Sequence, residues 1–189
     1  MTDPRLFLLA VLAVLFTPGP TNTLLASGGA VRGWRGGLPL VFAELCGYLV
    51  TVDLVGFLLR PVILSHPPIG SALKLGVALY LVWAAIGLWR NVASLESART
   101  AVGWRSVFVA TLLNPKGLVF ALGIIPFGSP AIAGYLGAFA VSVLFAGVCW
   151  VGVGHLIGAA AGERRRLVPR LASVVLLGFA GLIAASAFG

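Results

Sequence analysis

The sequence predicts an all-α polytopic membrane protein whose six transmembrane helices form two inverted three-helix repeats, with helices 1 and 4 broken at proline motifs. Three observations predict this fold class: the composition, six apolar stretches of spanning length, and two proline motifs at matching positions. Of 189 residues, 60% are hydrophobic and 10% are charged, and the mean hydropathy is +1.08. Soluble domains carry about 25% charged residues. The composition therefore excludes a water-soluble domain.

Six apolar stretches account for most of the chain, and each has roughly the 20 residues that cross a bilayer core of about 30 Å. The connections are too short for a separate aqueous domain, so residues 1–189 are predicted to form a single transmembrane domain. The predicted spans are residues 5–27, 38–59, 70–89, 107–127, 132–156 and 170–188. Glycine- or proline-containing turns are expected between them, at residues 36–37, 60–61, 67–68, 128–130 and 169.

The first apolar stretch is predicted to be a membrane span rather than a cleaved signal peptide. Arg5 precedes an apolar run over residues 6–16, as in a signal peptide, but Asp3 offsets its charge. A Thr-Pro-Gly-Pro sequence interrupts the run at residues 17–20, and apolar character resumes at Thr23. The first span is therefore expected to cross with a break in its middle.

The basic residues predict the orientation. Connections one, three and five carry nine arginines, whereas the opposite side carries only Arg5, Arg60 and Lys74. Because cytoplasmic loops retain Lys and Arg, we expect a multi-pass protein of the plasma (inner) membrane with both termini on the non-cytoplasmic side. The net charge of +8 is interpreted as a topology signal, and no nucleic acid is expected as a partner. The nine arginines are Arg32, Arg35, Arg90, Arg99, Arg105, Arg164, Arg165, Arg166 and Arg170.

Two proline motifs are the most informative feature of the sequence. A proline inside a helix removes one backbone donor and leaves carbonyl groups unpaired, which is tolerated in a membrane only where those groups face protein, water or a ligand. One alternative is that both prolines merely kink their helices. The first motif contains Thr17, Pro18, Gly19, Pro20, Thr21 and Asn22, and the second contains Asn114, Pro115 and Lys116.

The motifs lie near the middle of spans 1 and 4, which are the first members of two three-span halves. Because each half has an odd number of spans, the second half enters the membrane in the opposite sense to the first. Broken helices from two such halves meet near the midplane and form a substrate site in many transporters. The nine motif residues are therefore the predicted substrate-binding residues.

The same motifs resemble the signatures of the LysE/RhtB-type family of amino acid exporters. Pro18-Gly19-Pro20-Thr21-Asn22 and Asn114-Pro115-Lys116 carry the resemblance, and the length and six spans agree with it over essentially the whole chain. Many members have Asn directly after Pro-Gly-Pro, where this chain has Thr21 and then Asn22. The resemblance implies export of amino acids or related small metabolites, driven by the proton gradient.

Four ionisable residues within the predicted spans need a partner or a function, because a charge at the bilayer centre costs about 3 kcal/mol or more. Lys116 is expected to bind a substrate carboxylate or to pair with Glu44. Asp53 and Lys74 are expected to form an ion pair near the outer surface, with a proton relay through Asp53 as the alternative. Glu44 and Asp53 are the proton-coupling candidates, and their spacing of nine residues places them on opposite faces of a helix.

Other residues carry weaker signals. Cys46 and Cys149 are interpreted as buried, unreactive thiols. Gly154, Gly158 and Gly162 recur every four residues, which indicates close helix packing, either inside the molecule or at the face of a homodimer.

The sequence thus predicts a secondary active exporter of amino acids or related small metabolites, with an ion or metal-ion transporter or channel as the alternative. His66 and His155 lie far apart in the chain, and no catalytic or metal-binding set emerges, so neither enzyme activity nor a cofactor nor a bound metal is expected. The expected partners are a small-molecule substrate and the lipid bilayer.

Overall fold

A computed structural model of the chain describes residues 3–59, 62, 67–90 and 99–185. These residues are helical and contain no strand, which confirms the all-α class. The helices are α1 Pro4–Phe16, α2 Pro20–Asp53, α3 Pro67–Arg90, α4 Trp104–Leu112, α5 Pro115–Val119, α6 Ile132–Ala161 and α7 Val168–Ala185. Two π-helical turns, Leu54–Leu59 and Phe120–Ile124, continue α2 and α5, and a 3-10 turn, Gly162–Leu167, follows α6.

Several helices are long and apolar enough to cross a membrane. By length and composition the described residues contain three such segments: Pro20–Leu59, Ile132–Arg164 and Val168–Ala185. A fourth is present if Arg99–Leu112 and Pro115–Ile124, which meet at an angle of 41°, count as one broken span. The protein is therefore a multi-pass helical membrane protein.

The first helix break lies where the proline motif predicts it. Asp3 caps α1 by accepting a hydrogen bond from the Arg5 amide at 2.8 Å, and Pro4 occupies the first turn, where its missing donor costs nothing. α1 ends at Phe16 and α2 begins at Pro20. Three residues of non-helical chain thus separate two helices inside the predicted first span.

A sharp reversal at Gly33 divides α2 into two arms, residues 20–32 and 34–53. Gly33 has φ 75° and ψ 179°, a conformation that only glycine adopts without strain. A Cβ atom added to Gly37 would lie 3.4 Å from the Cα atom of Gly29, whereas eight residues of straight helix span about 12 Å. The two arms therefore pack side by side as a helical hairpin. The turn predicted at Gly36-Gly37 was wrong by three residues, since these glycines lie within the second arm.

The second break separates α4 from α5. α4 ends at Leu112, Asn114 caps α5, and Pro115 occupies its first turn. The predicted turn at residues 128–130 is confirmed, because these residues lie between the second π-helical turn and α6. The turn predicted at residues 60–61 and the side chain of Lys74, with its proposed ion pair to Asp53, lie outside the described residues.

Helix α6 packs against both arms of α2, and glycines set the distance. A Cβ atom on Gly154 would lie 1.8 Å from the Ala26 carbonyl oxygen, and one on Gly158 would lie 2.4 Å from the Ala30 carbonyl oxygen. Gly154 and Gly158 thus form an internal packing seam, one of the two alternatives that their spacing left open. A Cβ atom on Gly162 meets no atom within 4 Å.

Two apolar cores hold the helices together. The first joins α3, α4 and α7 to both arms of α2 and to α6, through residues such as Leu24, Leu81 and Leu176. The second joins α1, the second arm of α2 and α6, through residues such as Phe7 and Phe139. Both breaks are thereby held between packed helices.

The hairpin turn is attached to the segment that precedes α4. Arg32 donates from Nε to the Val102 carbonyl oxygen at 2.9 Å and from Nη2 to the Arg99 carbonyl oxygen. Arg99 in turn donates from Nε to the Val31 carbonyl oxygen at 2.9 Å. These reciprocal hydrogen bonds, here called the arginine clamp, join residues that are about 70 positions apart in the sequence.

Candidate functional site

The carbonyl groups freed by the first break are covered by Asn22. Its Nδ2 atom donates to the Leu15 carbonyl oxygen at 2.8 Å and to the Thr17 carbonyl oxygen at 2.9 Å. The indole nitrogen of Trp150 lies 3.4 Å from the same Leu15 oxygen. Asn22 is buried, so the break carries its own polar lining within the protein.

Asn114 connects the second break to the first. Its Oδ1 atom accepts from the Lys116 amide at 3.0 Å, while its Nδ2 atom donates to Thr21 Oγ1 at 2.8 Å and to the Tyr48 hydroxyl at 3.2 Å. The Thr111 hydroxyl lies 3.3 Å from the same Thr21 oxygen. The two motifs, 93 residues apart in the sequence, are therefore in direct contact.

The Lys116 side chain reaches across this contact to the end of α1. Its ammonium group donates to the Thr17 carbonyl oxygen. Glycine at position 19 leaves room for this lysine side chain, since a Cβ atom there would lie 2.9 Å from Lys116 Cε and 3.0 Å from Nζ. Lys116 is half-buried, whereas Thr17 and Pro18 are exposed. The ammonium group thus lies at the edge of the site rather than in its centre.

Glu44 is the buried carboxylate of the site. Its Oε2 atom has no hydrogen-bond partner among the described residues and lies 2.6 Å from the position of a Cβ atom on Gly147. Glu44 and Lys116 interact electrostatically, but Lys116 donates to Thr17 instead. A buried carboxylate oxygen without a hydrogen-bond partner is costly, which makes Glu44 an unusual side chain near the breaks.

Asp53, the second proton-coupling candidate, ends α2 and is half-buried. Its Oδ1 atom is buried and has no hydrogen-bond partner among the residues that the structure describes. Its role in proton coupling stays a prediction.

The predicted binding residues are thus brought together at one place. Gly19, Pro20, Thr21, Asn22 and Asn114 are buried, and Pro115 is half-buried like Lys116. Hydrogen bonds join Thr21 to Asn114 and Thr17 to Lys116 across the breaks. Substrate binding by these residues stays a prediction.

Sequence reasoning missed Tyr48 and Thr51. Tyr48 is fully buried, packs edge-on against Phe120 and Phe139, and presents its hydroxyl to Asn114. The Thr51 hydroxyl lies 2.8 Å from the Leu112 carbonyl oxygen, which the second break leaves without a helical partner. Glu44, Tyr48 and Thr51 follow one another at intervals of four and three residues, which places them on one face of a helix. This line of polar side chains on one face of an apolar span was the sequence pattern that could have identified these residues.

The thiols differ from the expectation in one respect. Cys149 is half-buried, but Cys46 is exposed on the second arm of α2. An apolar thiol on the outer face of a membrane helix contacts lipid without penalty, so its hydrophobic surroundings did not imply burial inside the protein.

Fold and site together define the class: a multi-pass helical membrane protein in which two broken helices contact each other through buried polar side chains. The LysE type translocator family matches residues 12–187, and the chain belongs to this family. An uncharacterized membrane protein of Vibrio cholerae serotype O1 is 27% identical over 126 residues. The aligned region covers 64% of this chain and 62% of that protein, so the chain spans about three fifths of this relative's length. No solved structure matches the chain.

Proposed function

We propose that the protein is a secondary active exporter of amino acids or related small metabolites, with its substrate site between the two helix breaks. One observation carries the proposal: the Lys116 ammonium group donates to the Thr17 carbonyl oxygen across both breaks. This contact joins a cation to the negative end of the α1 dipole. Membership of a translocator family supports transport as the function.

The geometry suits a zwitterionic substrate. The freed carbonyl end of α1 attracts a cation, and Lys116 now occupies that position itself. A substrate ammonium group that takes the place of Lys116 at Thr17 releases the lysine to bind the substrate carboxylate. The same two protein groups then bind both ends of an amino acid, and without substrate they satisfy each other. The alternative, ion or metal-ion transport, lacks such a specific observation.

The proposal includes two inverted repeats of three spans each. In two such repeats, span 1 corresponds to span 4 and span 2 corresponds to span 5. A contact between spans 1 and 5 should therefore have a counterpart between spans 4 and 2. Both contacts are present, since Gly154 packs on Ala26 and Gly47 packs on Thr111. Each is a close contact made by glycine. This correspondence supports the repeat and a site near the midplane.

Proton coupling is assigned to Glu44, with Asp53 as the second candidate. Lys116 is the neighbouring positive charge of Glu44, and in this proposal it also binds the substrate carboxylate. An exporter driven by an inward proton gradient exchanges substrate for protons, so the two must not be carried together. In this proposal Glu44 therefore takes up a proton on the outside only after the substrate has left, and releases it on the inside before the next substrate binds.

We place the protein in the plasma (inner) membrane with both termini outside. Arg32 and Arg99 then lie at the inner surface, where positively charged residues are retained. The arginine clamp would join the two halves on that side. Its hydrogen bonds would have to open when the site faces the cytoplasm.

Proteoliposomes loaded with single amino acids test the proposed function. Efflux is measured with and without an imposed pH gradient, for the parent protein and for Lys116→Met. We expect efflux of at least one amino acid, acceleration by the gradient and no efflux by Lys116→Met. Arg35→Gln, which removes an exposed charge beside the Gly33 reversal, is the matched control and should transport normally. Normal efflux by folded Lys116→Met contradicts the charged site, and ion flux that amino acids do not affect favours the alternative.

A further inference from the structure

A cleft between α3 and α4 is separate from the two breaks. Its volume is about 540 Å³, within the range of roughly 300–1,000 Å³ that small-molecule sites have. Its walls are mainly apolar and aromatic. They are formed by Leu24, Tyr80, Trp83, Ala84, Leu88 and Val109.

The cleft has room for additional atoms. A Cβ atom added to Gly87, which lines it, meets no atom within 4 Å. At its base Leu24 and Leu88 are buried in the first apolar core. A ligand in the cleft would therefore contact the first apolar core on one side and would be exposed outside the protein on the other.

Most polar groups of the lining lie in one segment, and the Tyr80 hydroxyl of α3 lies 3.5 Å from the Ser106 carbonyl oxygen of that segment. Thr100, Gly103, Arg105 and Ser106 precede or begin α4, and the remainder of the lining is almost entirely apolar. Along α3 the lining extends from residue 80 to residue 88, about 12 Å at 1.5 Å per residue. This is close to half of a hydrocarbon core of about 30 Å. The cleft thus offers an apolar wall along α3 that faces the more polar start of α4.

Aromatic and basic side chains frame the opening. Trp83 is 71% exposed and Trp104 is 46% exposed, and Trp104 stacks on Phe108 with ring centroids 5.1 Å apart. Tryptophan is enriched where hydrocarbon meets the headgroup region. Arg105, which lines the cleft at the start of α4, is exposed and supplies a positive charge.

We infer that this cleft is a binding site for an anionic phospholipid, whose acyl chain lies between α3 and α4 while its phosphate contacts Arg105. Basic pockets between membrane helices bind anionic headgroups by this combination of charge and apolar surface. The inference does not depend on what the protein exports.

Photoactivatable lipids test it in the full-length protein. The protein is reconstituted into nanodiscs that contain a trace of phosphatidylglycerol or phosphatidylcholine with a diazirine in the acyl chain. After irradiation, labelled peptides are mapped by mass spectrometry. We expect phosphatidylglycerol to label residues of α3 and α4 that line the cleft, in preference to phosphatidylcholine.

Two glycines of α3 give a matched pair of variants. Gly87→Phe fills the cleft, whereas Gly76→Phe adds the same ring at an exposed position that also has nothing within 4 Å. Gly87→Phe should lose the cleft labelling and Gly76→Phe should keep it. Arg105→Gln should lower the preference for phosphatidylglycerol about fivefold, the equivalent of roughly 1 kcal/mol per arginine at an anionic surface.

Three results would overturn the inference. Equal labelling by the two lipids removes the role of charge, and unchanged labelling of folded Gly87→Phe removes the cleft. Displacement of the lipid by an exported amino acid would assign the cleft to the transport substrate instead. Circular dichroism and gel filtration of each variant establish that it is folded before labelling is compared.

Discussion

Asn114 Nδ2 lies 2.8 Å from Thr21 Oγ1, so one buried hydrogen bond joins the second helix break to the first. Both residues belong to motifs that lie more than 90 positions apart in the sequence. The same Asn114 side chain caps α5 through its oxygen atom and contacts Tyr48 through its nitrogen atom. This one amide group therefore contacts both breaks and the second arm of α2.

Asn114→Ala should destabilise the protein by about 1–3 kcal/mol, because buried partners lose their hydrogen bonds. Thr21→Val removes only one of these bonds and should cost less. Unfolding in mixed micelles by increasing denaturing detergent measures both variants and their combination. The double variant should be less destabilised than the sum of the single variants, because the residues share a contact. Additive losses would mean that the hydrogen bond contributes nothing to the coupling.

Gly19→Ala should impair transport more than folding. Its methyl group would meet Lys116 Cε at 2.9 Å, and a flexible lysine side chain can move aside at little cost. The ammonium group then loses the Thr17 carbonyl oxygen. Efflux from proteoliposomes should fall several-fold, while the yield of folded protein should stay near that of the parent. Parent-like efflux would show that the contact of Lys116 with Thr17 is not required.

Gly29→Ala should impair folding itself and lower the yield of folded protein. A Cβ atom there would lie 2.1 Å from the Val151 carbonyl oxygen, and a helix backbone cannot move aside as a side chain can. Gly134→Ala, at a position with nothing within 4 Å, is the control. Size-exclusion chromatography of fluorescently tagged variants should give a monodisperse peak for Gly134→Ala and little for Gly29→Ala. A normal peak for both would contradict the tight packing of α2 on α6.

Arg99→Met should loosen the arginine clamp without unfolding the helices. The variant loses the hydrogen bond from Arg99 Nε to the Val31 carbonyl oxygen, worth about 1 kcal/mol. Hydrogen–deuterium exchange should therefore rise in peptides that contain the Gly33 turn. Peptides from the middle of α6 serve as the internal reference. Unchanged exchange at the turn would mean that the clamp is not what restrains it.

Labelling of single cysteines tests the orientation. In a background without Cys46 and Cys149, a membrane-impermeant maleimide added outside should modify a cysteine at Ser65 but not one at Ser97. The expectation follows from the nine-to-three distribution of basic residues. The reverse pattern would invert the protein in the membrane while leaving the helices as described.

The sequence-based predictions were accurate where a feature depends on neighbouring residues and inaccurate where it depends on tertiary contacts. The breaks at Pro18 and Pro115 were predictable to the residue, because a proline acts on its own helical turn. The reversal at Gly33 was not, because Gly36 and Gly37 were equally suited to a turn. Gly37 lies instead against Gly29, a contact that only the packed hairpin defines.

The same distinction applies to the candidate site. Polar residues beside a proline are conspicuous in an apolar span, so Asn22 and Asn114 were found. Tyr48 and Thr51 lie on another span and belong to the site only through tertiary contacts. The position of Lys116 at Thr17 rather than at Glu44 likewise depends on the angle at which the breaks meet, which hydropathy does not encode.

The way each break is covered also bears on how the protein is made. Chains enter the membrane from the N-terminus as they are synthesised, at about 5–20 residues per second. The first break is covered by Asn22, seven residues or fewer from the carbonyl groups it bonds. The second is covered by Thr51, which is synthesised 61 residues before Leu112. Each break is thus covered by a residue that lies within the next seven positions or earlier in the chain, so insertion can proceed in chain order, and only the contacts of Lys116 and Trp150 with the first break wait for later synthesis.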